Sequence, residues 1–267
     1  MENQIIENLL FVRKKNPLVH NITNFVVMNN SANALLAIGA SPAMAHAHKE
    51  VKNLVEIANS VVINIGTIDE YWAESKLIAA KKANKINKPW ILDPVAAGIS
   101  SFRNDVLKEL LTYRPTVIRG NASEIMALDS FDSIQGKGAD SVHQSIQAIN
   151  AAKNINQKTG AIICISGVSD FVVSNDEIYE IKNGHEMMTK VTGLGCSATA
   201  VIGAFIGLNE NSFIEALSGM SLFSLAGELA QLRSTGPGSL QTNLLDCLYH
   251  LSENDIKKHL KINKYED

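Results

Sequence analysis

The chain predicts an α/β fold, with a central, mainly parallel sheet flanked by helices on both faces. Short apolar runs, each ended by a polar residue or a glycine, alternate with longer stretches rich in Ala, Lys and Glu. Uninterrupted apolar runs suit strands buried on both sides, and the alternation suits βαβ units. No Pro/Ser-rich linker, internal repeat or low-complexity tract divides the 267 residues, so one domain over 1–267 is expected.

The run Ser-Val-Val-Ile-Asn-Ile-Gly at 60–66 reads as a strand, and 69–86 as the helix after it. Pro-Trp-Ile-Leu-Asp-Pro-Val at 89–95 is the next strand, with 103–113 its helix. Thr-Val-Ile-Arg at 116–119 is a third strand, and a helix around 139–155 leads to a fourth at 161–166. Phe-Val-Val-Ser from 171 and Ile-Tyr-Glu-Ile from 178 read as a hairpin of edge strands. From 192 to about 260 the pattern is nearly all helical. Ligands of such sheets bind beyond the carboxyl ends of the strands. Asn64, Gly66, Asp93, Arg119, Asn121, Ser166 and Gly167 all fall there, and their recurrence at one edge marks a candidate site.

Composition excludes several classes. Hydrophobic residues at 46% and charged residues at 19% suit a packed core rather than a disordered chain. A net charge of −3 gives no reason to expect binding to nucleic acid or to an anionic membrane. Cys164, Cys196 and Cys247 form no CxxC pair, and no disulfide framework is expected. The N-terminus has no basic-then-apolar signal pattern, and no apolar run reaches the roughly 18 residues of a spanning helix. A cytoplasmic location is the expectation.

The densest motif is Thr192-Gly193-Leu194-Gly195-Cys196-Ser197-Ala198, which opens an apolar helix. Glycines let the backbone approach a ligand, and the free N–H groups of a new helix attract an anion. It is no Walker loop, because no Gly-Lys-Ser/Thr follows. It does match GxGxxA, with Glu215 about 20 residues on, as a dinucleotide fingerprint asks. Glu215 falls within a helical stretch, however, and not at the end of a second strand, so context disfavours a dehydrogenase. A tight turn before a packed helix is the plain structural alternative.

Two carboxylates could serve a metal. Asp93 ends a strand and is followed by Pro94, which keeps the backbone extended and the carboxylate available to a ligand or to a Mg²⁺ water shell. Asn121-Ala-Ser-Glu124 has the spacing of a capping box, in which Glu124 serves the backbone instead. Paired at the sheet edge, Asp93 and Glu124 favour Mg²⁺ and phosphoryl transfer, which depends on positioning and charge neutralisation. His46 and His48 form an H-x-H pair without a nearby third ligand and read as loop residues.

Six stretches, together rather than singly, resemble the hydroxyethylthiazole kinase family of the ribokinase-like superfamily. They are Pro17-Leu-Val-His-Asn-Ile-Thr-Asn24, Ala34-Leu-Leu-Ala-Ile-Gly-Ala-Ser-Pro-Ala-Met44, Asn64-Ile-Gly-Thr67, Leu92-Asp-Pro-Val95, Ile118-Arg-Gly-Asn-Ala-Ser-Glu124 and Lys190-Val-Thr-Gly-Leu-Gly-Cys196. They run in family order over most of the chain, and Gly236-Pro-Gly-Ser239 fits the C-terminal region.

The resemblance implies a ribokinase-like fold and ATP-dependent, Mg²⁺-assisted phosphorylation of the alcohol of 4-methyl-5-(2-hydroxyethyl)thiazole. By matching motif, Asn24, Met44, Gly66 and Gly193 would line the thiazole pocket. Arg119 and Ser166 would contact ATP, and Asp93 and Glu124 would serve metal and phosphates. Cys196 stands where related kinases carry the Asp that takes the alcohol's proton. A helix N-terminus would lower the pKa of its thiol. The family is typically a homotrimer with sites between subunits. Asn21 and Leu194 depart from the family's usual small hydroxyl residue and Ala. A kinase of another alcohol, such as a hydroxymethylpyrimidine, and a non-catalytic nucleotide- or thiazole-binding protein are the competing readings.

Overall fold

The computed structural model describes residues 1–132 and 141–266. Helix α1 (Glu2–Lys15) leads into β1 (Leu18–Ile22), α2 (Met28–Ile38), β2 (Ser41–Ala43) and α3 (Val51–Ile57). Then come β3 (Ser60–Asn64), α4 (Glu70–Lys85), β4 (Trp90–Asp93), α5 (Ser101–Thr112), β5 (Val117–Asn121) and α6 (Ala122–Asp129). Helix α7 (Ser141–Thr159) precedes β6 (Ile162–Ser166), β7 (Asp170–Val173) and β8 (Ile178–Ile181). The last part is α8 (Leu194–Ile206), α9 (Ser212–Gln231), α10 (Pro237–His250), α11 (Glu253–His259) and β9 (Ile262–Lys264). The expected elements from 60 to 181 are all present within a few residues. Positions 139 and 140 of the expected helix lie outside the described residues.

The strands form one sheet in the order β2-β1-β3-β4-β5-β6-β7-β8-β9. Every pair from β2 to β6 is parallel, and β6 to β9 are antiparallel. Because successive side chains point to opposite faces, each strand feeds two cores. Val62, Ile91, Val117 and Cys164 pack with α1, α2 and α8–α11. Val61, Ile63, Leu92, Ile118 and Ile163 pack with α3–α7. Burying one such side chain contributes about 1.5–3 kcal/mol, and both faces carry a row of them.

Helix starts follow local chemistry. Asp69 accepts the Trp72 N–H at 2.7 Å to begin α4, and Ser100 accepts the Arg103 N–H at 3.3 Å to begin α5. Helix α9 is long and apolar enough, by length and composition, to cross a membrane. Its apolar residues from Ala216 to Ala226 are instead almost fully enclosed in the core between sheet and helices.

Candidate active site

The parallel register brings the carboxyl ends of β1, β3, β4, β5 and β6 to one edge, with Asn64 beside Asp93 and Asn121 beside Ser166. Asn64 and Asp93 share the sheet face that α8 covers. The Asn64 amide donates to Asp93 Oδ2 at 2.7 Å, and the Thr199 hydroxyl of α8 donates to the same oxygen at 2.7 Å. Asn64 Oδ1 accepts from Asn24 Nδ2 at 2.8 Å and from the Gly66 N–H at 2.9 Å. Asn24 Nδ2 also lies 3.5 Å from Cys196 Sγ. Asn24, Gly66, Asp93 and Cys196 therefore belong to one buried network with Asn64 at its centre. Asn24 is so close to Gly66 that a Cβ there would lie 2.5 Å from its Nδ2.

Gly193 is the N-cap of α8 in the left-handed region, with φ 78°. A Cβ added there would also collide with Val27, so the turn brings the start of α8 against the start of α2. At Gly195 a Cβ would lie 2.6 Å from Arg119 Nη1, so a side chain there would push the guanidinium away from the helix start. Arg119 donates from Nη2 to Ser166 Oγ at 2.7 Å, and its Nε has no hydrogen-bond partner among the described residues. Arg119, Ser166, Leu194, Gly195 and Ala198 line a cavity of about 670 Å3, together with Met188, Met220 and Phe223. That volume suits a nucleotide-sized ligand.

Electrostatics at this edge oppose one another. Burial pushes the Asp93 carboxyl up to about 6, against the pull of Arg119, with Glu124 adding to the rise. Burial and the nearby Asp93 push the Cys196 thiol up to about 12. The expected lowering at a helix N-terminus is thus corrected: desolvation outweighs the dipole, and Cys196 is a neutral thiol at neutral pH.

Glu124 completes the capping box, accepting the Asn121 N–H at 2.9 Å while Asn121 accepts the Glu124 N–H at 2.9 Å. Its other oxygen accepts the Ala96 N–H at 2.9 Å from the loop after β4. Glu124 thus caps α6 and also clips the loop that follows Asp93 onto it. Met44 stands just past β2 at the same sheet edge, half-buried, outside this network and outside the wall of the cavity. His46 and His48 are loop residues packed on rings, 4.4 Å from Trp72 and 3.9 Å from Tyr71 between centroids. Glu215 lies in the first turn of α9 and accepts the Glu210 and Asn211 N–H groups, which removes the ribose-binding role of a dinucleotide fold. Sequence reasoning left Thr199 and Asp170 unassigned. Asn64 was visible as a polar strand end, but its central place needed the register.

A mainly parallel sheet with a glycine turn, a buried arginine and carboxylates at its carboxyl edge is a ribokinase-like fold. A ribokinase-like superfamily protein from Enterococcus faecalis V583 shares the fold with a TM-score of 0.64 over 95% of each chain, at 14% identity. A Staphylococcus aureus pyridoxal kinase structure in complex with AMP-PCP gives 0.64 over 94% of this chain and 99% of its own, at 13% identity.

The family model for the hydroxyethylthiazole kinase family matches residues 9–254. Hydroxyethylthiazole kinase of Leptospira biflexa is 49% identical over 96% of this chain and 96% of its own. That of Syntrophus aciditrophicus is 48% identical over 94% and 93%. The hydroxyethylthiazole kinase structure from Pyrococcus horikoshii OT3 superposes with a TM-score of 0.91 at 39% identity, over 99% of this chain and all of its own. The chain belongs to the hydroxyethylthiazole kinase family.

Proposed function

We propose that this protein, as a single-domain kinase, transfers the terminal phosphoryl group of ATP to the primary alcohol of 4-methyl-5-(2-hydroxyethyl)thiazole, in thiamine biosynthesis or salvage. The observation that carries the reading is the meeting of two half-sites across Gly195: the Asn24–Asn64–Cys196 network on one side and the Arg119-lined cavity on the other. The thiazole would lie against Asn24, Gly66 and Gly193, with Met44 reaching it from the same sheet edge. The nucleotide would fill the cavity, its phosphates met by Arg119, Ser166 and the N–H groups at the head of α8.

The donor set fits Mg²⁺. Each Glu124 oxygen uses one lone pair on a backbone N–H, so both can still receive metal-bound water, and Mg²⁺ keeps several waters. Asp93 and Glu124 would hold the ion, which supplies charge neutralisation of the phosphates. In a loose phosphoryl-transfer transition state the alcohol needs little activation, so a neutral Cys196 beside Asn24 serves the reacting hydroxyl by packing and position. A cytoplasmic location and a homotrimer with shared sites belong to the same reading. The test is phosphate transfer from labelled ATP, with and without Mg²⁺, to the thiazole alcohol and to hydroxymethylpyrimidine. No phosphorylated thiazole above an enzyme-free control would refute the reading. Faster transfer to the pyrimidine would reassign the substrate.

A further inference from the structure

Asp170 opens β7 and is only 7% exposed, yet it stands in the wall of the nucleotide-sized cavity. Its Oδ1 accepts the Gly167 N–H at 3.1 Å, and its Oδ2 accepts the Ser224 hydroxyl of α9 at 2.6 Å. Gly167 directly follows Ser166, whose hydroxyl receives Arg119 Nη2 at 2.7 Å. The turn between them is otherwise open: Val168 at its tip is fully exposed. The carboxylate therefore ties the Ser166-bearing turn to α9 through Ser224.

A carboxylate facing a polyphosphate would repel it, which makes its orientation informative. Each oxygen accepts one hydrogen bond, from the Gly167 N–H and from the Ser224 hydroxyl, and these bonds, with the Arg119 charge, act against the rise in pKa that burial causes. We infer that Asp170 is a positioning residue for the nucleotide: it holds the 166–170 turn against α9, so that Ser166 and Arg119 present a fixed pair of donors to the phosphates. The inference rests on the reading that ATP occupies this cavity. The competing account is a turn cap that contributes to stability alone.

The experiment measures kcat, both KM values and melting temperature for D170A, D170N, S224A and R119A in the full-length enzyme. Loss of charge-assisted hydrogen bonds at Asp170 in D170A should raise KM for ATP about tenfold. KM for the thiazole alcohol should stay within about twofold. The amide of D170N can accept from Gly167 and donate to Ser224, so it should return KM for ATP to within about threefold of wild type. S224A should fall between the two. A D170A enzyme with a lower melting temperature and unchanged KM for ATP would establish the turn cap and overturn the inference. So would D170N no better than D170A, because charge and not geometry would then be at work. If D170A does not fold, S224A decides, and an unchanged KM for ATP overturns it. R119A keeps the two levels apart. No effect of R119A on KM for ATP removes the cavity reading itself, whereas a large effect of R119A without one at Asp170 removes only the positioning role.

Discussion

Cys196 sits where two fields oppose each other. The head of α8 favours a thiolate, while burial and the Asp93 carboxyl favour the thiol and push its pKa up to about 12. Turnover measured from pH 6 to 9 should therefore carry no thiol ionisation. Cys196→Ala should reduce turnover without abolishing it, because the thiol packs and positions but does not take the proton. Cys196→Asp should remain active or become faster. Its new carboxyl would share the buried environment of Asp93, itself raised to about 6, so the gain should appear as pH rises. Complete loss in both variants with the fold intact would give the thiol a direct part in the chemistry. Glu124 separates two effects in one residue. Losing the cap costs about 1 kcal/mol, a few degrees of melting temperature. Losing a metal-holding carboxylate costs several kcal/mol of transition-state stabilisation. Glu124→Ala should therefore lose turnover far more than stability, and a destabilised but fully active variant would leave it only the cap. Asp93, Arg119 and Ser166 were legible in the sequence because each is a polar residue ending an apolar run. Thr199 and Asp170 were not, since a threonine in an apolar helix and an aspartate before a hairpin strand look ordinary until the register sets them beside Asp93 and Ser224.

Strands β3 to β8 could be read directly because each carries adjacent or alternating apolar residues, many of them β-branched or aromatic. Strand β1 is as buried as they are, but His20 and Asn21 interrupt its apolar run and disguise it. Strand β2 has three residues with Pro42 in the middle, which only the sheet edge tolerates. Helix α4 was plain from its Ala, Lys and Glu content, yet that composition hid one residue. Lys76 is fully buried, 4.3 Å from the centroid of the Trp72 ring, with no hydrogen-bond partner for Nζ among the described residues. Burial brings its pKa down to about 7. The unfolded chain keeps that proton up to about pH 10.4, so between pH 7 and 10 it binds more protons than the folded one. Stability from this site therefore rises with pH across that window, and the full cost of burying the charge is felt below pH 7. Lys76→Met keeps an unbranched chain and a sulfur–aromatic contact with Trp72. It should stabilise the protein most at pH 6 and hardly at all at pH 10, as urea unfolding at both values would measure. A gain independent of pH would mean that packing, not the buried amine, sets the effect.

At the scale of the whole molecule, the candidate site lies partly on the surface of a single chain. Phe25 and Val26, immediately after Asn24, are 60% and 57% exposed. Single exposed apolar side chains are ordinary, but two in succession beside a ligand site mark a surface that gains from being covered. Their backbone is fixed: the Phe25 N–H donates to Thr67 Oγ1 at 2.9 Å, and the Phe25 ring packs on Trp72 at 4.7 Å between centroids. Val27, the next residue, is pressed against Gly193 at the head of α8. An apolar pair held so rigidly needs little ordering on association, which favours a specific contact over a loose one. The cavity that the proposed reading gives to the nucleotide, by contrast, has neither Phe25 nor Val26 in its lining. Assembly should therefore matter for the thiazole half of the site and not for the nucleotide half. Sedimentation of the wild type should give three times the chain mass. Phe25→Asp combined with Val26→Asp should shift the protein towards the single-chain mass, because two charges buried in an apolar contact are uncompensated. In that variant, KM for the thiazole alcohol should rise on the order of tenfold while nucleotide affinity, measured by direct binding, stays near wild type. A single-chain wild type with full activity would rule out the assembly. A single-chain variant with unchanged KM for the alcohol would show that the thiazole site does not depend on assembly.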